Sequence, residues 1–182
     1  MKIFIGGPRA ITNICENVAY KLLNICKMEH TILIGDASGV DSAVQRYLYQ
    51  LGYKNVYVYV SNGKVRNNIG RWPVKTILVP GNMKGFNFYA EKDKSMADDA
   101  DYGFMIWNGE SKGTLNNIIN LLTRNKEIIV YFTPQKYIYY INCFDEFIKL
   151  ISLCNAETNK LYHGLLNQST LVQPQMTLFD KQ

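Results

Sequence analysis

With 182 residues, 47% of them hydrophobic and 13% aromatic, the chain is long enough for one globular domain with a sizeable core plus a modest extension. Its formal charge of +5 permits a polyanionic partner such as nucleic acid or a phosphate compound, but the basic residues are scattered and never form a block, so charge alone selects none. No run of about 18 apolar residues occurs and the opening "MKIFIGGPRA" is too short and glycine-rich for a signal-peptide core, so the expectation is a soluble, cytoplasmic protein with no membrane partner.

In chain order, "KIFIGG" reads as a short strand stopped by Gly6 and Gly7, and Ile11 to Lys27 follows with Ile14, Val18, Leu22 and Ile25 at helical spacing. The unit repeats. "TILIG" breaks at "DASG" and gives way to a helix in "VDSAVQRYLYQLG", with Gly52 at its stop. "NVYVYV" is a third strand, residues 61–75 a polar loop carrying Arg66, Arg71 and Trp72, and "TILVPG" a short strand after it. A helix in "YAEKDKSMADDA", a buried strand in "DYGFMIWNG", a helix in "KGTLNNIINLLTR" and a strand in "EIIVYF" complete the alternation. "YIYYI" adds another strand, and Asn142 is placed to cap a last helix with Asp145 and Glu146 in its first turn.

Alternating strands and helices predict an α/β fold, a Rossmann-like three-layer sandwich whose central sheet is mainly parallel with helices on both faces. Unalternating apolar strands such as "TILIG" and "FMIW" fit a sheet buried on both sides. Residues 1–154 are expected to form this domain. Residues 155–182 lose strong periodicity and are rich in Asn and Gln, which predicts an extension or tail.

Cys15, Cys26, Cys143 and Cys154 form no C-x-x-C pair, and neither His30 nor His163 has a ligand at metal spacing, so reduced core cysteines are expected and neither a metal nor a cofactor is called for. The three glycine turns carry more. "GGPRAIT", "GDASGVD" and "NGESKGT" all fall at carboxyl ends of predicted parallel strands, where helix N-termini converge and ligands bind. Glycine lets a ligand approach the backbone, and free N–H groups with the helix dipole favour an anion. Any one such turn is an ordinary connection; three in register on one sheet edge point to a phosphate-bearing ligand. Gly6, Gly7, Ser111, Gly113 and Thr114 are candidates on this ground. In the polar loop, Arg66 with Arg71, Trp72, Asn67 and Asn68 can clamp a phosphate and stack on a base, or Trp72 can anchor the loop. Trp107 reads as core with its edge toward the pocket, and the tyrosines of "VYVYV" and "YIYYI" as sheet packing.

"IGDASGVDSAVQRYL" resembles the G-x-x-x-G-x-D segment, and "ADYGFMIWNGESKGTLNNI" the G-[ST]-x-G-T segment, of the SLOG superfamily, the Rossmann-like group that contains the LOG phosphoribohydrolases and the DNA-processing protein A proteins. "YAEKDKSMADDAD" resembles the R-N-x-x-M segment of its small bacterial members. The resemblance spans about residues 1–150 and implies a pocket for a nucleotide or nucleotide-derived ligand, sensed or processed. It places Gly35, Ser38, Gly39 and Asp41 on one side of that pocket and Ser111, Gly113 and Thr114 on its phosphate side. LOG hydrolases carry a glutamate where this chain has Asn117, and an amide is neither a base nor a stabiliser of positive charge, so LOG-type hydrolysis is not expected. Asp36, Asp41, Glu91, Asp93 and Asp101 are the carboxylates from which an N-glycosidase or transferase would have to draw instead.

In the tail, Gln175, Met176, Thr177, Leu178 and Phe179 resemble the Q-L-x-L-F peptide with which bacterial replication and repair proteins dock on the sliding clamp. That implies a DNA-metabolism accessory protein, with Gln175, Leu178 and Phe179 as contacts. The expected partners are thus a nucleotide-derived small molecule and a sliding clamp, with a homo-oligomer left open.

Overall fold

The computed structural model describes residues 1–170. Its elements run β1 (Lys2–Gly6), α1 (Glu16–Lys27), β2 (Thr31–Gly35), α2 (Val40–Gln50), β3 (Val56–Ser61), β4 (Val74–Ile77), α3 (Gly85–Asp99), β5 (Tyr102–Trp107), α4 (Lys112–Leu122), β6 (Ile128–Phe132), β7 (Tyr137–Ile141), α5 (Phe144–Ile151) and α6 (Ala156–Thr170). The strands form one sheet in the order β4-β3-β2-β1-β5-β6-β7. All neighbours are parallel except β7, which pairs antiparallel with β6. This is the Rossmann-like α/β sandwich that the alternating pattern predicts.

The apolar strands are unalternating because both faces of the sheet are covered. Ile3, Ile5, Ile32, Ile34, Val58 and Phe104 face the layer built with Val18 and Leu22 of α1 and Val44 and Leu48 of α2. Phe4, Leu33, Met105, Trp107 and Val130 face the opposite layer, where Met96 of α3, Leu115 and Ile119 of α4, and Phe147 of α5 pack. Among the described residues no helix is long and apolar enough to cross a membrane.

Several boundaries differ from the sequence expectation. α1 starts at Glu16, not Ile11. Pro8 accepts the Ile11 N–H at 3.4 Å and the Val40 N–H at 3.2 Å, which folds the segment into a loop over the start of α2. β4 lies at Val74–Ile77, earlier than "TILVPG", because its register pairs Val74 with Val58 directly after Pro73. Cys143, not Asn142, is the N-cap of α5; Asn142 donates its backbone N–H to the Glu146 carboxylate at 2.6 Å.

The packed domain also runs past Asn155. Tyr162 and Leu165 of α6 are buried against the α3–α6 layer, Tyr162 meets Phe147 edge-on with ring centroids 5.6 Å apart, and the Thr158 hydroxyl donates to the Gly109 carbonyl at 2.6 Å. Of the two readings of residues 155–182, extension or tail, these contacts favour an extension packed on the domain for residues up to 167. The clamp-like residues Gln175, Leu178 and Phe179 lie outside the described residues.

Candidate functional site

In an open parallel sheet the strand order reverses at one strand, and the turns on either side of it diverge to leave a crevice at the carboxyl ends. Here that strand is β1, between β2 and β5. A cavity of about 470 Å³ opens there, within the range of roughly 300–1,000 Å³ usual for small-ligand sites. β1 supplies Phe4 and Gly6 to its wall and the turn after it Gly7, α2 supplies Asp41, and α4 supplies Gly113 and Asn117 with its N-cap Ser111. α3 crosses it with Phe86, Tyr89, Lys92, Asp93 and Met96, while Arg9 and Arg66 enter from loops.

Of the residues singled out in the sequence, Gly6, Gly7, Asp41, Arg66, Ser111 and Gly113 thus converge on one cavity. Gly35, Ser38, Gly39 and Thr114 are not part of its lining, and the geometry says why. A Cβ at Gly35 would run into the Asp41 carboxylate and come within 2.8 Å of Lys92 Nζ. Gly39, at φ +81°, turns its Cα against the Arg9 backbone. Both glycines make room for neighbouring protein. Ser38 is exposed. The Thr114 hydroxyl donates to Ser111 Oγ at 3.1 Å, and Ser111 Oγ also takes the Thr114 N–H at 3.4 Å, so Thr114 belongs to the cap of α4.

Two residues of α4, Gly113 and Asn117, stand at the cavity wall. A Cβ at Gly113 would have nothing within 4 Å, so the first turn of the helix, whose N–H groups have no partner within the helix, is approachable. One turn further on, Asn117 is 7% exposed, and its Oδ1 is buried without a hydrogen-bond partner. A buried acceptor left unpaired costs about 1–3 kcal/mol, and native structures rarely keep one without a reason.

The charged residues divide into two groups. Asp36, 1% exposed, accepts the Arg66 backbone N–H at 3.1 Å and Nε at 3.0 Å on Oδ2, and the second guanidinium nitrogen on Oδ1. Burial pushes the Asp36 carboxyl up, but the Arg66 hydrogen bonds and charge outweigh it and hold it below its usual range. Lys92, also buried, donates to Asp93 Oδ1 at 2.8 Å. Asp41 accepts the Ala37 N–H at 3.1 Å, and burial, only partly offset by Lys92, pushes its carboxyl up to about 6. Desolvation disfavours the Lys92 ammonium, yet the charges of Asp93 and Asp41 leave its pKa above the ordinary value.

The polar loop resolves between its two readings. Trp72 is 5% exposed and donates Nε1–H to the Tyr53 carbonyl at 2.9 Å, which makes it an anchor. Gln45 straps the same loop: its Nε2 donates to Gly35 at 2.9 Å and Asn67 at 3.3 Å, and its Oε1 accepts from Ile69 at 3.0 Å. Arg66 is thereby delivered to the cavity on a fixed arm. Trp107 is fully buried and offers no edge to the cavity.

No family model matches the sequence, and no curated protein matches it. The chain is similar in fold to DNA processing protein A from Helicobacter pylori. The match has a TM-score of 0.57 at 13% identity, covers 92% of this chain and 81% of that one, and comes from a structure that concerns single-stranded DNA binding by that protein. At that identity the likeness establishes the fold.

Tyr89, Lys92 and Arg9 were not foreseen as lining residues. For α3 a signal existed: Tyr89, Lys92, Asp93 and Met96 recur at three- and four-residue spacing, so a Lys–Asp pair occupies an otherwise inward-facing stripe. Arg9 has no such signal, because only the approach of the Gly39 turn fixes where its loop goes.

Proposed function

We propose that the protein binds a nucleotide or nucleotide-derived ligand in the cavity beside β1, as a sensor or a processing protein, with a phosphate on the first turn of α4. The observation that carries this reading is the pairing of an open helix start at Gly113 with the unpartnered buried acceptor of Asn117 in one cavity. The helix start favours an anion, and Asn117, whose amide lines the same cavity, adds hydrogen-bonding capacity for a hydroxyl or amino group of the ligand. Asn117 carries no charge to assist glycosidic cleavage, and Asp41 and Asp93 are engaged with Lys92, so binding without hydrolysis is the activity favoured. The test is a thermal-shift screen of the protein with nucleotides, cyclic dinucleotides and ADP-ribose-type ligands. A ligand present at 100 times its Kd raises stability by about 2.7 kcal/mol, so phosphorylated ligands should raise Tm while their nucleosides do not. No shift from any of them removes the reading.

A second reading, a DNA-metabolism accessory role, is supported by the fold shared with a single-stranded DNA binder and by the clamp-like sequence at Gln175–Phe179. Titrating a peptide of residues 171–182 into a bacterial sliding clamp tests it. Micromolar binding lost in Leu178→Ala and Phe179→Ala supports docking, and absence of binding rejects it.

A further inference from the structure

The rim of the cavity carries a pattern that one phosphate does not use. Phe86 and Tyr89 lie three residues apart on α3 and so share a face of the helix. Arg9 Cζ lies 5.2 Å and Arg66 Cζ 4.7 Å from the Tyr89 ring centroid, and Lys112 Nζ lies 4.2 Å from that of Phe86. Three cations from three separate segments therefore rest on two rings that line one cavity; Arg9 and Arg66 line it themselves, and Lys112 lies beside it over Phe86. Their charges are not equally spent. Arg66 is ion-paired with Asp36, whereas among the described residues neither Arg9 nor Lys112 has a carboxylate within ion-pair reach. An aromatic face orients a cation without neutralising it.

We propose that the ligand of this cavity carries at least two phosphate groups, an inner one on the first turn of α4 and an outer one held at the rim by Arg9 and Lys112 above Tyr89 and Phe86. The proposal rests on the nucleotide-binding reading and adds its substrate class: a nucleoside diphosphate or pyrophosphate-linked nucleotide. Lys112 is the first residue of α4 and precedes Gly113 directly, so the outer position adjoins the inner one, as consecutive phosphates require. Arg66, already fixed by Asp36, acts as the rail that holds Tyr89 under Arg9.

The experiment is calorimetric titration of the full chain, in the presence of a chelator, with the 5′-mono- and 5′-diphosphates of adenosine, guanosine, cytidine, uridine and thymidine, and with 5′-phosphorylated oligothymidylate. At least one diphosphate should bind about tenfold or more tightly than its monophosphate, as added charge-assisted contacts produce. Arg9→Ala and Lys112→Ala should each cost the diphosphate about fivefold or more affinity beyond whatever they cost the monophosphate, with circular dichroism showing each variant folded. Equal affinity for mono- and diphosphate, or equal losses for both in the variants, overturns the outer phosphate and leaves the nucleotide reading standing. Failure of every nucleotide to bind overturns both. Tighter binding of the oligonucleotide than of any free nucleotide overturns the small-ligand class in favour of a nucleic-acid strand.

Discussion

Gly113 has no side chain, and the position where one would begin is empty to 4 Å, which is what opens α4 to a phosphate. Gly113→Val should abolish nucleotide binding in calorimetry by filling that approach. The substituted residue sits in the first turn of a helix, so global stability by chemical denaturation should change by less than about 1 kcal/mol. Retained binding would place the ligand elsewhere. Asn117, the amide where LOG hydrolases have glutamate, predicts that no free base is released from nucleoside monophosphates, as followed by chromatography; measurable release would assign the chemistry to Asp41 or Asp93. Asp41 gives a pH prediction. Its carboxyl is pushed up to about 6 by burial, above an unfolded value of about 3.9, so the folded state holds the extra proton. The stability this contributes is complete below the unfolded pKa and is lost as pH rises through about 6. Comparing the protein with Asp41→Asn from pH 4 to pH 7 isolates the effect: the variant should gain stability relative to the parent across that window, and parallel curves would contradict it.

The elements were legible where burial imposes a simple pattern. Six of the strands stand out as β-branched or aromatic runs, most of them covered on both faces of the sheet, whereas β4, largely exposed at the sheet edge, is displaced from the apolar run that suggests it. α6 was not legible. Its buried residues Thr158, Tyr162 and Leu165 do lie at helical spacing, but a threonine opens that stripe and Asn, Gln and Lys surround it, so the apolar signal stays weak. The fold uses it nonetheless to cover Phe147 and to hold the Gly109 carbonyl. Leu165→Ala should therefore cost about 2–5 kcal/mol in denaturant unfolding, as buried Leu→Ala changes do; a cost below about 0.5 kcal/mol would return residues after 155 to the status of a tail. The site was legible in part for a related reason. Glycine turns after β1 and β5 announce themselves in sequence, and Tyr89 and Lys92 form a stripe on α3 whose spacing is legible but not what it crosses, whereas Arg9 reaches the cavity through the packing of one turn on another, a contact that no local pattern encodes.

At the scale of the whole molecule, the parallel sheet reverses its order at β1, and this sets the glycine turn after β1, the start of α2 and the start of α4 around one crevice. The other end of the sheet offers no comparable convergence of helix N-termini, since parallel strands present their carboxyl ends together. The rigid arm delivering Arg66 and the face of α3 bearing Tyr89 and Lys92 then close the crevice into a cavity with an anion-favouring end and an unpaired acceptor. The most direct measurement is a crystal structure of the protein soaked with the nucleotide that gives the largest thermal shift. A phosphate within hydrogen-bond reach of the Gly113 backbone N–H, with a ligand donor on Asn117 Oδ1, is the predicted result; an empty cavity with the nucleotide bound on another surface would contradict it.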